Sequence, residues 1–405
     1  MTITVIDNSH KRRSPRYSKE GRDKRAVVLA GGAASGAGQM IGALNAANDC
    51  IDTTVSDFEL FVGLSAGAIV GSALAVGTPV EEIRKSFSAK SDRLSFFGWG
   101  DYLSFNMEFV NPLFMPSDLM GMVYRHLRKH PKVAKRWTEI LQSDEPKVDK
   151  IEELISDAGR EFNFPRRYIP LGMFSNSGIE RYVRENLKRN EKPNDFAELF
   201  STTGKEFYAV ATNLDTGYSA PFGHDAIRGT TISEAVQASS ALPIVYTPVQ
   251  LRTSEGTHSY VDGAISKTAN VGLANERGAD LVVCFNPFRA IDYRKIRRNN
   301  GSAQKAIMDN SVIQYGYQLF RVLLGSRLRM AIEQYRSDPE FYADVILVEP
   351  DQEDYKFFMM NPLNLFTRTL ASDHAYETTR QQLRDNYEGV APILDRHGIE
   401  LNREA

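Results

Sequence analysis

Ser65 stands between two glycines in Gly63-Leu64-Ser65-Ala66-Gly67, after the apolar run Glu59-Leu60-Phe61-Val62 and before the small, apolar stretch Ala68–Ala75. Glycines on either side of a serine permit the tight turn that lifts its hydroxyl clear of a strand end. A helix that follows points its N-terminal amides at a developing oxyanion. This is the chemistry of a serine attacking a carbonyl, and it requires a base. Asp262 closes the run Ser259-Tyr260-Val261 and is followed by Gly263-Ala264; taken alone, an aspartate at a strand end beside glycine is an ordinary turn former. The histidines change that reading. His10, His126, His130, His224, His258, His374 and His397 include none in a glycine-framed loop after a late strand. His258 shares a strand face with Asp262 if the strand is regular, and so competes as base. A carboxylate can take the serine proton without a histidine, and Asp262 is the expected acceptor.

The same reaction needs donors for the oxyanion. Gly31-Gly32-Ala33-Ala34-Ser35-Gly36-Ala37-Gly38 follows the apolar run Ala26–Ala30, and its small residues let a carbonyl approach the main chain. The amides of Gly31, Gly32, Ala33 and Ala34 are the expected donors. A phosphate-binding loop would need Lys-Ser or Lys-Thr after Gly36, where Ala37-Gly38 stands. Gly32-x-x-x-Gly36-x-Gly38 also has the spacing of a dinucleotide-dependent reductase. Such an enzyme should carry Tyr-x-x-x-Lys, and no tyrosine here has a lysine four residues on.

These residues need strands and helices to hold them. Ala26–Ala30, Glu59–Val62, Phe207–Thr212, Ser259–Val261, Leu281–Phe285 and Asp344–Val348 read as strands, with helical segments between them. That order predicts an open, mostly parallel sheet covered on both faces. Residues 88–175 differ in texture: Phe96, Phe97, Trp99, Tyr102, Phe105, Phe109, Phe114 and Met115 sit among polar residues, and charged segments follow. They read as a cap inserted after the nucleophile helix. Segments 304–336 and 371–390 read as amphipathic helices over the sheet, the first with Ile313, Tyr317, Phe320, Leu324 and Leu328 at three- and four-residue spacings.

At 405 residues, 42% hydrophobic and 25% charged with a formal net charge of -2, the composition gives no sign of a nucleic-acid partner. Two cysteines, Cys50 and Cys284, make neither a disulfide framework nor a zinc cluster, and a reducing, cytoplasmic setting is expected. No window reaches the roughly 18 apolar residues of a membrane span. Residues 10–25 are dense in Lys and Arg and read as a flexible tail, from residue 1 to 25, able to make peripheral contact with anionic membranes.

With these residues in view, the chain resembles the patatin-like phospholipases. Residues 26–75, 170–223 and 232–285 carry the likeness: the glycine-rich loop, the Gly-x-Ser-x-Gly elbow, and Asp262-Gly263-Ala264. Phe174–Ile179, Ala211–Gly217 and Ala235–Pro243 are similar to further blocks of that family. Ala33 and Ser35 depart from its pattern of a third glycine and a basic residue, and Thr268-Ala269-Asn270 replaces Asn-x-Pro. The resemblance implies a three-layer α/β fold with a mostly parallel central sheet, helices on both faces and an inserted helical cap. It implies a catalytic domain over 26–290, with 291–405 completing or covering it. It further implies a lipid or phospholipid acyl hydrolase, acting through Ser65 and Asp262 and an acyl-serine intermediate without metal or cofactor. The alternatives are a catalytically silent relative that binds lipid or a partner protein, and the reductase.

Overall fold

A computed structural model describes residues 1–11, 23–102, 104–105, 172–295 and 312–403. The central sheet of the described residues has nine strands. Five run parallel at its centre, in the order Asp344–Glu349 (β12), Leu281–Phe285 (β11), Arg25–Leu29 (β2), Leu60–Gly63 (β3) and Glu206–Asn213 (β6). Antiparallel strands close the edges. Thr2–Ile6 (β1) pairs with β12. Gly256–Asp262 (β10) and Ser219–Phe222 (β7) pair with β6, and Val249–Thr253 (β9) pairs with β10. A small second sheet joins Ser104–Phe105 (β4), Gly172–Ser175 (β5) and Ile244–Tyr246 (β8).

The central strands are continuous apolar runs because both of their faces are buried. In β2 and β3, Val27, Leu29 and Phe61 face one layer, while Ala26, Val28, Leu60 and Val62 face the other. The first layer holds Ala33–Cys50 (α1), Ala66–Ala75 (α2), Val80–Ser86 (α3), Ser177–Arg189 (α4) and Ile232–Ser239 (α5). It also holds Thr367–Asp385 (α8) and Tyr387–Arg396 (α9). The second holds Val271–Glu276 (α6) and the 26-residue helix Val312–Ser337 (α7). The expected three-layer arrangement about a largely parallel sheet is thus present.

α1 and α8 pack unusually closely. Gly38 and Gly42 lie one turn apart on α1, and a Cβ at either would overlap the carbonyl oxygen of Arg368 or Ser372. Only glycine lets the two backbones approach that near. This corrects the reading of the glycine-rich segment as a loop through Gly38: the helix begins at Ala33, and its later glycines serve helix packing.

One further reading is revised. The stretch 1–25 is not a tail at its start, since Thr2–Ile6 is an edge strand and Met1 is buried. Lys11 donates to the carbonyls of Tyr335, Asp338 and Phe341 at 2.8–2.9 Å, and Lys24 and Arg25 pair with Glu206 and Glu59. Residues 12–22 lie outside the described residues, as does most of the segment read as a cap, 106–171. Among the described residues no helix is long and apolar enough to cross a membrane.

Candidate active site

β3 and β10 bring the two candidate residues together through a shared neighbour. On β6, Ala209 is flanked by Gly63 and Phe222, and Ala211 by Asp262 and Ala220. β7 therefore occupies one edge of β6, while β3 and β10 occupy the other and run toward each other. Their C-terminal ends meet two β6 residues apart, a gap of roughly 7 Å at the rise of a strand.

Ser65 lies in the turn between β3 and α2, with φ 53° and ψ −126°. A non-glycine residue holds that backbone only when its surroundings enforce it, and the enforcement is visible. A Cβ at Gly63 would strike Gly67 and Ala68, and one at Gly67 would strike the carbonyl oxygens of Leu29 and Ala30, so both flanking glycines are dictated by close approach. Residues at the C-terminal end of α5 clamp the serine from the other side. The Ser65 amide donates to Ser239 Oγ (3.0 Å), Ser239 Oγ donates to the Val210 carbonyl (2.6 Å), and Ser240 Oγ donates to the Ser65 carbonyl (3.2 Å).

Asp262 is 2% exposed. Its amide donates to the Ala241 carbonyl (2.9 Å), its carbonyl accepts from Thr212 Oγ1 (3.1 Å), and its Oδ1 accepts from the Ala264 amide (2.9 Å). Burial raises its carboxyl to about 6, against the opposing effect of the neighbouring Ser65 hydroxyl and of the hydrogen bond from the Ala264 amide. A buried carboxylate with such a pKa beside a serine is suited to accept a proton near neutral pH. His258 is elsewhere: its ring nitrogens face Asp215 Oδ2 and the Glu255 carbonyl at 3.2 Å each. His224 stacks on Phe200, 4.2 Å between ring centres. No histidine among the described residues lines the cavity that holds Ser65 and Asp262.

That cavity has a volume of about 630 Å³, within the usual range for small-molecule sites. Its walls are largely apolar, with Ile41, Val70, Ile83, Phe97, Val183 and Leu187 among them. Among the described residues the one charged group lining it besides Asp262 is Arg368, whose guanidinium donates to the carbonyls of Phe97 (2.7 Å) and Phe87 (3.1 Å). Burial brings Arg368 down to about 10. It ties α8 to the 87–97 segment and shapes the wall. Phe97 packs edge-on against Tyr182 (4.8 Å) and Tyr102 (6.0 Å), and the Tyr246 hydroxyl donates to the Tyr102 carbonyl (2.6 Å). The side chain of Phe105, with Phe109, Phe114 and Met115, is outside the described residues.

Of the four expected oxyanion donors, Gly32, Ala33 and Ala34 line the cavity with Ser65. The Ala34 amide is committed elsewhere, donating to the Pro362 carbonyl at 2.9 Å, so its place among the donors is withdrawn. Among the described residues no hydrogen-bond acceptor faces the amides of Gly31, Gly32 or Ala33, nor that of Ala66 at the start of α2. Ser35 is fully buried, and among the described residues its hydroxyl has no partner. Sequence reasoning passed over Ser239 and Ser240 as individual partners of Ser65. It also treated Tyr317 as part of an apolar stripe, although a tyrosine in such a stripe signals a polar tip that needs a partner.

A family model described as patatin-like phospholipase matches residues 27–275. Curated proteins gave no match. Among solved structures, VipD from Legionella pneumophila is 15% identical, with 98% of this chain and 82% of that one covered, at a TM-score of 0.32. ExoU from Pseudomonas aeruginosa, in complex with SpcU, is 13% identical, with coverage of 89% and 53% and a TM-score of 0.30. Human GIVD cytosolic phospholipase A2, in complex with methyl gamma-linolenyl fluorophosphonate, is 12% identical, with coverage of 90% and 59% and a TM-score of 0.30. The chain spans little more than half of either of the last two. These likenesses are remote.

Proposed function

The chain belongs to the patatin-like phospholipase family, and from that premise we propose that it hydrolyses carboxylic esters of lipids through a Ser65–Asp262 dyad. The observation that carries the reading is that Ser65, at the turn into α2, and the buried carboxylate of Asp262 line the same cavity, whose walls are otherwise mostly apolar. Ser65 Oγ attacks the ester carbonyl as its proton passes to Asp262. The negative charge that develops on the carbonyl oxygen is taken by main-chain amides of the Gly31–Ala33 turn, with Ala66 at the positive end of α2 as a further donor. Collapse of the tetrahedral species breaks the ester bond, and Asp262 returns the proton to the leaving alcohol. Water, deprotonated by the same carboxylate, then releases the acid from Ser65.

The apolar walls suit an acyl chain, which gains about 0.8 kcal/mol for each methylene removed from water. In this reading residues 26–290 form the catalytic domain with a cap inserted at about 88–175, residues 291–405 cover it, and a lipid or phospholipid substrate is reached from the membrane surface.

The test is hydrolysis of a short soluble ester together with fluorophosphonate labelling and peptide mapping. Label should fall on Ser65, and Ser65→Ala and Asp262→Asn should each remove nearly all activity, because parts of one catalytic unit do not contribute additively. His258→Ala should retain most of it. A dead histidine variant beside an active Asp262→Asn protein would overturn the assignment of the base, and an unlabelled parent would overturn the activity.

A further inference from the structure

We propose that Tyr317, on α7, is a positioning residue that holds the Gly32–Ala33 peptide with its N–H turned toward the carbonyl oxygen of the substrate. The proposal rests on the hydrolase reading above and concerns a residue beyond the family-matched segment 27–275.

The Gly32 carbonyl accepts two hydrogen bonds, from the Gly36 amide at 2.8 Å and from the Tyr317 hydroxyl at 3.3 Å. A trans peptide is planar, so its C=O and N–H point in opposite directions, and fixing one fixes the other. With the Gly32 oxygen held on the side of α1 and α7, the Ala33 N–H faces away from the helix. Gly32, Ala33, Ser65, Asp262 and Tyr317 line one cavity.

The peptide needs holding because its conformation is not the relaxed one. Gly32 has φ 133° and Ala33 φ 51°. Alanine adopts that left-handed value only at a cost. A flip of the Gly32–Ala33 peptide rotates Gly32 ψ and Ala33 φ by about 180°, which would carry Ala33 from 51° to about −129°, ordinary extended backbone. Glycine at 32 tolerates either state. The flip would also point the N–H out of the site and break both hydrogen bonds on the Gly32 oxygen. The strained, donor-competent state is therefore favoured by those two bonds, one intrinsic to α1 and one supplied by Tyr317.

Tyr317 is itself well fixed. The Arg321 guanidinium lies 4.1 Å from its ring centre, and Phe288 packs edge-on at 6.5 Å. Arg321 is 2% exposed and also stacks on Phe358 at 4.6 Å. Its Nε and Nη2 have no hydrogen-bond partner among the described residues, so ring contacts are the main surroundings of this cation.

Tyr317→Phe keeps the ring and removes the hydroxyl. We expect kcat on a soluble ester to fall about tenfold, as for loss of one neutral hydrogen bond acting in the transition state, with KM and thermal midpoint unchanged. Affinity for a boronic acid, which forms a tetrahedral oxyanion on Ser65, should fall by the same factor, and affinity for an ether analogue of the substrate should not. In an Ala33→Gly background the flip no longer relieves strain, so the tenfold effect of Tyr317→Phe should shrink; a purely structural hydroxyl would give the same loss in both backgrounds. Unaltered kcat in folded Tyr317→Phe, or a loss shared equally by the ether and the thermal midpoint, would overturn the role of Tyr317 alone. A parent protein that neither hydrolyses the ester nor takes fluorophosphonate would overturn the hydrolase reading and this inference with it.

Discussion

At Asp262 catalysis and stability pull in opposite directions. The carboxyl lies beside Ser65, accepts from the Ala264 amide, is removed from water, and is pushed up to about 6 by that burial. With Asp262 as the proposed base, hydrolysis would need the ionised form, so activity should fall as pH drops through about 6. Stability follows the other sense. A carboxyl whose folded pKa exceeds its unfolded value, 3.8, binds more protons in the folded protein. Its contribution is fullest below pH 3.8 and declines until the pH passes 6, by on the order of 1–3 kcal/mol. Asp262→Asn removes the buried charge at a similar size. It should be inactive, yet unfold at a higher temperature than the parent at pH 8 and with little difference at pH 4. Thermal unfolding at the two pH values checks this, and a variant less stable at pH 8 would mean that the carboxylate is better solvated than its burial implies. Ser65 is a second residue kept against local preference, with φ 53° enforced by its packed neighbours.

Among the elements, the meeting of β3 and β10 on one edge of β6 sets where the candidate pair sits, and helices of both layers wall the cavity beside it. The walls come from α1 to α4, from α7, from the 240–246 and 362–365 segments and from the 87–102 segment, the last held to α8 by Arg368. Phe97 is a half-buried wedge between Tyr102 and Tyr182 that also faces the cavity. Truncating a fully buried phenylalanine costs about 3–5 kcal/mol. Phe97→Ala should cost less, because the space it leaves joins an existing cavity, and it should shift preference toward longer or bulkier acyl chains. Comparing kcat/KM over a series of p-nitrophenyl esters with the urea midpoint separates these effects. A large loss of stability with unaltered chain preference would make Phe97 a core residue only.

For the whole molecule, the N-terminal segment is structurally divided. β1 is an edge strand on β12, and Lys11, Lys24 and Arg25 are engaged by the folded body. Within residues 10–25, attraction to anionic lipid is thus left to Arg12, Arg13, Arg16, Lys19 and Arg22, and a truncation to residue 25 would confound charge with loss of a strand. Changing those five residues to Gln is the cleaner experiment. If they act at the membrane surface, where each basic residue contributes about 1 kcal/mol, binding to phosphatidylserine vesicles at low salt should weaken by about tenfold or more. Its salt dependence should also flatten, while hydrolysis of a short soluble ester stays unchanged. Equal vesicle sedimentation of the two proteins would discard the idea.

The amino-acid sequence by itself determined the features written in local pattern. The apolar runs of β2, β3, β6, β11 and β12 are legible because a strand buried on both faces has no polar positions. The elbow at Ser65 is legible because its two glycines are required within five residues. Asp262 could be singled out only by the scarcity of suitable histidines and by family resemblance, since nothing local distinguishes it from a turn former. β1 was not legible: Thr2–Ile6 is short and half-buried, and it becomes a strand only because β12 offers an unpaired edge. Gly38 read as part of a loop until the backbone of α8 was seen against it. The Ala34 amide looked free until Pro362, far along the chain, was found to accept it. The meeting of Ser65 and Asp262 in one cavity, and the hydrogen bond of Tyr317 to Gly32, were likewise decided by tertiary structure. Hydrogen bonds and close packing join atoms that the sheet register brings near, and register between distant strands is set by the burial of the whole core, not by the residues at the site.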